Sequence, residues 1–415
     1  MNFRSSNRVT EVASKRAVHS AFAWLHGNPK TIMDWQAELT AIPAPPFGEA
    51  ARGRWLAEQF QAIGLQDVRI DALGNVFGSW PAAGLPAAST GPVVVLSAHL
   101  DTVFPAETPL QPKVDGERLE APGACDNGAG LAGLLAIAKA ISAADMELPA
   151  PLIFLGNVGE EGEGNLRGVR HFYQQDPLAS RVSAHLILDG AGEEAVVTRA
   201  LGSRRFRVSI SGPGGHSFSD AGTPNPIAAL STALASVAQT QLPTEPRTTM
   251  NFGTIQGGAS VNAIPEKVVA AIDFRSTSSE ELTRLEKILR HAVEEAVLKS
   301  NLAAKNNFPR HRGPLGFQIE EIGDRPAAQL SADSPLYRSL LLVDRHLGLR
   351  TEPMLGSTDA NIPLSLGVPA LSMGAGGDGG GAHTLGEWYS AQNRDLGLKR
   401  VLLLTLTMLE EAAER

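Results

Sequence analysis

The chain of 415 residues has a single cysteine, Cys125, which excludes an internal disulfide framework and makes a reducing, cytoplasmic setting the simplest expectation. It has no apolar run near the roughly 18 residues that a membrane span needs. The longest runs, Leu131 to Ile141 and Val401 to Leu409, read as buried helices. No block of lysine and arginine stands out, and the net charge of −8 argues against a nucleic-acid partner. The opening stretch MNFRSSNRVTEVASKRAVHS is polar and lacks the apolar core of a signal peptide. Repeats, heptads and low-complexity tracts are missing as well.

What is present is a globular composition, 43 % apolar and 19 % charged. The length exceeds one ordinary core, so two domains are expected. Met33 to Ile63 reads as helical, interrupted at Pro43 to Pro46, and no element is assigned before about Thr31. Short continuous β-rich runs follow at Val68 to Ile70, Val93 to Ser97, Leu152 to Leu155 and Leu186 to Leu188, the pattern of strands buried on both faces. Helix Leu131 to Ile141 lies between the second and third, which points to an α/β sheet.

Near Leu201 the pattern changes. Arg205 to Ile210 alternates as a half-exposed strand does, and a helix follows over Pro226 to Ala238. Strands are expected at Thr249 to Gln256 and Val268 to Arg275, a long amphipathic helix at Glu280 to Ser300, and a last strand at Phe317 to Ile322. The order β-α-β-β-α-β makes an open-faced sandwich, residues 201–323. We read it as a lid or dimerisation domain inserted into a discontinuous α/β catalytic domain, residues 1–200 and 324–415, with a mixed sheet flanked by helices.

Acids and histidines gather where strands end. The run Val93 to Ala98 leads into His99 and Asp101, and residues two apart in an extended chain point the same way. Such a histidine is either a metal ligand or a satisfied strand-end side chain. Asp126, in a glycine-rich turn before a helix, is either a ligand or an N-cap. Cys125 beside it reads as a small buried hydrophobe rather than a thiolate ligand. The strand Leu152 to Leu155 empties into a loop carrying Glu160, Glu161 and Glu163, acids that need cations or solvent around them. Asp189 follows Leu186 to Leu188 in the same way, and His383 follows the glycine-rich stretch Gly374 to Gly381. Taken together these residues make the mixed imidazole and carboxylate set of a dinuclear hydrolytic centre.

The strings SAHLDTV (97–103), GACDNGAG (123–130), GEEGEGNLRG (159–168), LDG (188–190), GPGGHS (212–217), VNAIPE (261–266), DFRS (273–276), GSTDAN (356–361) and AHTLGEW (382–388) occur in one order. That order resembles the zinc-dependent exopeptidase and aminoacylase family, which includes peptidase T, carboxypeptidase G, acetylornithine deacetylase and succinyl-diaminopimelate desuccinylase. The resemblance runs from about residue 40 onward. It implies two divalent ions, zinc first and cobalt or manganese as alternatives. His99, Asp126 and Asp189 would hold one; Asp126, Glu161 and His383 would hold the other, with Asp126 shared. Asp101 would orient His99, Glu160 would be the general base, and a cis peptide bond would follow Asp126. His216 would stabilise an oxyanion from a partner subunit, the alternative being a turn histidine bonded to its own backbone.

Asn262 and Arg275 resemble positions that grip the substrate, although Arg275 could equally form a surface pair with Asp273 or a nearby Glu. The run Gly374 to Gly377 either presents backbone N–H groups to an anionic substrate end or is a mobile loop. The function implied is that of a metallopeptidase or amidohydrolase acting on C–N bonds. It would be an exopeptidase, aminopeptidase or deacylase cleaving a short peptide or an N-acyl amino acid, and a homodimer through the inserted domain. The alternatives are a carboxypeptidase using Arg275 for the free carboxylate, and a non-catalytic metal- or peptide-binding protein.

Overall fold

A computed structural model of the chain describes residues 3–83, 91–307 and 312–414. It divides into two units, Met1–Ala200 with Gln329–Arg415, and Leu201–Ala328. Among the described residues no helix is long and apolar enough to cross a membrane.

The first unit is built on a mixed sheet. Strands Leu152–Asn157, Val93–His99, Val182–Leu188 and Ala370–Met373 lie side by side and parallel, and antiparallel strands flank them. Every residue of Val93–His99 is buried, as expected for a strand covered on both faces. Val93 and Val95 pack with Ile153, Leu155 and Phe172. The period of two turns Val94 and Leu96 to the opposite face, where helices Gly128–Ala143 and Arg394–Ala413 contact the strand. A second small sheet joins Lys113–Asp115, Arg118–Glu120, Trp388–Ser390 and Asp378–Gly380.

Inside this core His185 accounts for both its ring nitrogens without charge. Tyr173 Oη is 3.0 Å from Nδ1 and Ser97 Oγ is 2.8 Å from Nε2. Burial pushes its pKa down to about 3, so it is a satisfied neutral histidine of the interior.

Two helices, Phe3–Ser14 and Arg16–Gly27, occupy a stretch to which the sequence reading assigned nothing. They bury Val9, Val12, Val18, Ala21 and Leu25. Arg8 pairs with Glu411, 403 positions away, and Lys15 with Glu410, while the two helices pack on Pro335–Leu347, Gly128–Ala143 and the last helix, Arg394–Ala413. The helix expected from Met33 begins at Pro29 instead, with proline at its favoured first position, and the break at Pro43 to Pro46 separates it from Ala50–Ile63.

The second unit has the order β-α-β-β-α-β. Its sheet runs Thr248–Gly257, Lys267–Ser276, Gly202–Ser211, Gly316–Arg325, antiparallel throughout. Val268, Ala270, Ile272 and Phe274 alternate inward and meet Phe206 and Val208 together with Leu230 and Leu285 of helices Pro226–Ala238 and Ser279–Asn307. The last strand keeps its ladder as far as Arg325 opposite Ser203. The unit therefore closes after Ala328 rather than before Asp324.

Candidate metal centre

Parallel strands deliver their carboxyl ends to one edge, where ligands of α/β sheets collect. His99 is the last residue of its strand, Asp189 directly follows Val182–Leu188, and Glu160 and Glu161 lie just beyond Leu152–Asn157. Asp126 sits before helix Gly128–Ala143, whose N-cap is Asn127. His383 comes from the turn between Asp378–Gly380 and Trp388–Ser390.

The five side chains fall into two groups, His99, Asp126, Asp189 and Asp126, Glu161, His383, with ligand atoms in each within 4.8 Å of one another. His99 Nε2 is 3.1 Å from Asp126 Oδ1 and 3.8 Å from Asp189 Oδ1. On the other side His383 Nε2 is 3.1 Å from both Asp126 Oδ2 and Glu161 Oε1. One carboxylate thus serves both groups. The peptide bond from Asp126 to Asn127 is cis.

Three carboxylates brought this close need positive charge. Burial opposes ionisation of His99, but Asp101, Asp126 and Asp189 outweigh it and hold its pKa well above the usual value. Asp126 is held low, its burial overcome by His383 and His99. Burial and the charge of Asp126 push Glu161 up to about 7, and Asp126 leads the groups that raise His383 to about 9. Oδ1 of Asp126 is buried and accepts no well-directed hydrogen bond, despite the nearness of His99. An orphaned carboxylate oxygen amid imidazole nitrogens and carboxylates fits a divalent cation such as zinc, cobalt or manganese. Cys125 does not join the set: burial pushes its thiol up to about 12.

Asp101 does its orienting differently from the expectation. Its backbone carbonyl, 3.0 Å from His99 Nδ1, fixes the ring, while its carboxylate is 3.6 Å from that nitrogen. The carboxylate instead accepts the N–H groups of Glu160 at 3.0 Å and Glu161 at 2.8 Å, so it pins the loop bearing both acids. Strand Val93–His99 and strand Leu152–Asn157 are neighbours, which brings the loop within reach of Asp101.

Gly374 is also placed otherwise. The N–H groups of Ala375 and Gly376 are taken by the carbonyls of Gly190 and Gly192, and a Cβ at Gly374 would lie 2.2 Å from the Ala191 carbonyl. It is a glycine of close packing, and these two N–H groups are not available to a substrate.

Sequence reasoning missed two supports. Arg52, fully buried, donates to the carbonyl of Leu100, between His99 and Asp101. Glu387 accepts the N–H groups of Gly123, Cys125 and Asp126. Glu387 stood in view in AHTLGEW, but only the fold reveals its partners. A cleft of about 430 Å³ is lined by Ala121 and Pro122, ahead of the Asp126 loop, and by Leu385 and Glu387, after His383.

The remaining named residues belong to the second unit. His216 Nδ1 faces the N–H groups of Phe218 at 3.2 Å and Ser219 at 3.3 Å, which leaves Nε2 to carry the proton. Its strand pairs with that of Ala263, beside the exposed Asn262. Arg275 donates to Asp273 at 2.7 Å, the surface pair named as its alternative.

The sequence profile of Peptidase family M20/M25/M40 matches residues 95–407. A Bacillus subtilis protein, YqjE, is 23 % identical over 93 % of this chain and 100 % of its own length. A protein of Aspergillus clavatus named as a probable carboxypeptidase is 27 % identical over 68 % of this chain and 66 % of its own. Among solved structures, a tripeptidase from Staphylococcus aureus superposes with a TM-score of 0.72 at 21 % identity, covering 94 % of this chain and 99 % of that one. The chain therefore belongs to peptidase family M20/M25/M40, as a hydrolase of peptide bonds that depends on divalent metal.

Proposed function

We propose that this protein is a two-cation exopeptidase or deacylase that cleaves the amide bond of a short peptide or an N-acyl amino acid. The observation that carries the reading is the sharing of Asp126 between two complete ligand groups. Divalent cations held there, with zinc the first choice, supply Lewis acidity and make nearby water a better acid. The chain's own residues do the rest. Asp101 fixes the backbone of Glu160, whose carboxylate takes a proton from the attacking water and returns it to the departing nitrogen.

Arg275, engaged by Asp273, offers less to a free C-terminal carboxylate than the carboxypeptidase reading requires. The test is a panel of dipeptides, tripeptides and N-acyl amino acids, with blocked and free termini, assayed with added zinc, cobalt or manganese. Turnover of at least one, abolished by chelator and restored by metal, is expected. Turnover that survives chelation would remove the mechanism, and a requirement for a free amine would count against the carboxypeptidase and deacylase readings together.

The second unit serves, in this proposal, as a homodimerisation surface that lends His216 to a partner's centre. Thr248–Gly257 is an edge strand with most residues exposed, the kind of edge that pairs with another chain, and Phe218 and Val261 project into solvent. Light scattering at micromolar concentration should give twice the 43.7 kDa of one chain, with His216→Ala dimeric but slower. A monomer that is fully active would sink this part.

A further inference from the structure

The two cation groups are built by different means. His99 and Asp189 ride on strand ends of the main sheet; His99 is fixed through Asp101, and the Asp189 N–H reaches the Met373 carbonyl at 3.0 Å. His383 has no such footing. It lies in the turn 381–387 with φ +66 and a side chain 55 % exposed. Within that turn Thr384 bonds back to Gly381, and the Glu387 N–H to Thr384.

The side chain of Glu387, 1 % exposed, leaves this turn for the Asp126 loop. Its Oε2 accepts the Gly123 N–H at 2.8 Å, and its Oε1 accepts those of Cys125 at 2.8 Å and Asp126 at 2.7 Å. Three N–H groups converging on one carboxylate make a strong, directional anchor. The carboxylate therefore joins the turn that presents His383 to the loop that presents Asp126.

Resting on the two-cation reading, we infer that Glu387 is a positioning residue that holds the turn of His383 to the loop of the shared Asp126. It bears on the group of Asp126, Glu161 and His383 through two of its members, and on the group of His99, Asp126 and Asp189 through Asp126 alone. Supporting groups behind metal ligands typically change affinity by about 10–100-fold. Glutamine at 387 would keep the shape but turn an NH2 group towards backbone N–H donors. Aspartate would keep the charge but fall short of the loop.

The test uses the full chain, stripped of metal and titrated with zinc against a chromophoric chelator, and with cobalt by its visible absorption. Unmodified protein should take up two ions. Glu387→Gln and Glu387→Asp should weaken one ion about 10–100-fold and the other distinctly less. Their thermal midpoints are measured in the same buffer. Two affinities left unchanged, with or without a lower midpoint, would overturn the inference, as would equal weakening of both. So would failure of both variants to fold, because the contact would then be holding the fold. Unmodified protein that binds fewer than two ions would overturn the two-cation reading together with this inference, which separates that failure from the others.

Discussion

Replacing Glu160 with glutamine should lower kcat by about 10²–10⁴-fold, the range over which a positioned general base contributes. Glutamine has nearly the same volume and leaves the backbone N–H of residue 160 free to keep its 3.0 Å bond to Asp101. The loop, and Glu161 with it, should therefore stay in place. Metal content should remain at two ions per chain and KM should change little, because the lost function is proton transfer rather than binding. Steady-state kinetics beside metal analysis of the same sample decide the matter. A kcat close to that of the unmodified enzyme would show that another group takes the proton.

Asp126→Ala should do more, because one side chain is removed from both groups at once. Each group has three protein donors and would be left with two. The oxygens that face His99 Nε2 and His383 Nε2, each at 3.1 Å, would both vanish. Metal content after gel filtration should fall from two ions per chain towards none, with turnover at background. His383→Ala and Asp189→Ala each touch a single group, so each should spare the other ion. If Asp126→Ala retained two ions, the sharing of its carboxylate would be wrong, whatever the activity.

The residues of the candidate metal centre were legible because their grammar is local. An apolar strand that ends in an acid or a histidine can be read from a few residues, as at His99, Asp189 and the Glu160–Glu161 pair. The second unit was legible for a related reason: Lys267–Ser276 alternates cleanly and Ser279–Asn307 is long and amphipathic. What escaped was fixed from far away. The first two helices pack on helices far along the chain, and the small sheet carrying His383 is made of three-residue strands, one reading Asp378–Gly380, with no pattern to detect. Glu387 belongs to the same class, since its partners lie 264, 262 and 261 positions upstream. Gly374 misled because glycine in sequence marks permissive backbone without telling an open loop from a tight contact.

The second unit, Leu201–Ala328, stands in the chain between Asp189 and His383. During synthesis four of the five ligands leave the ribosome first, and the fifth follows only after that whole unit has been made. The group of Asp126, Glu161 and His383 therefore cannot form on an unfinished polypeptide. On the proposed assignment the centre is complete only once the second unit has been made, so the proposed activity waits until nearly the whole chain has been synthesised.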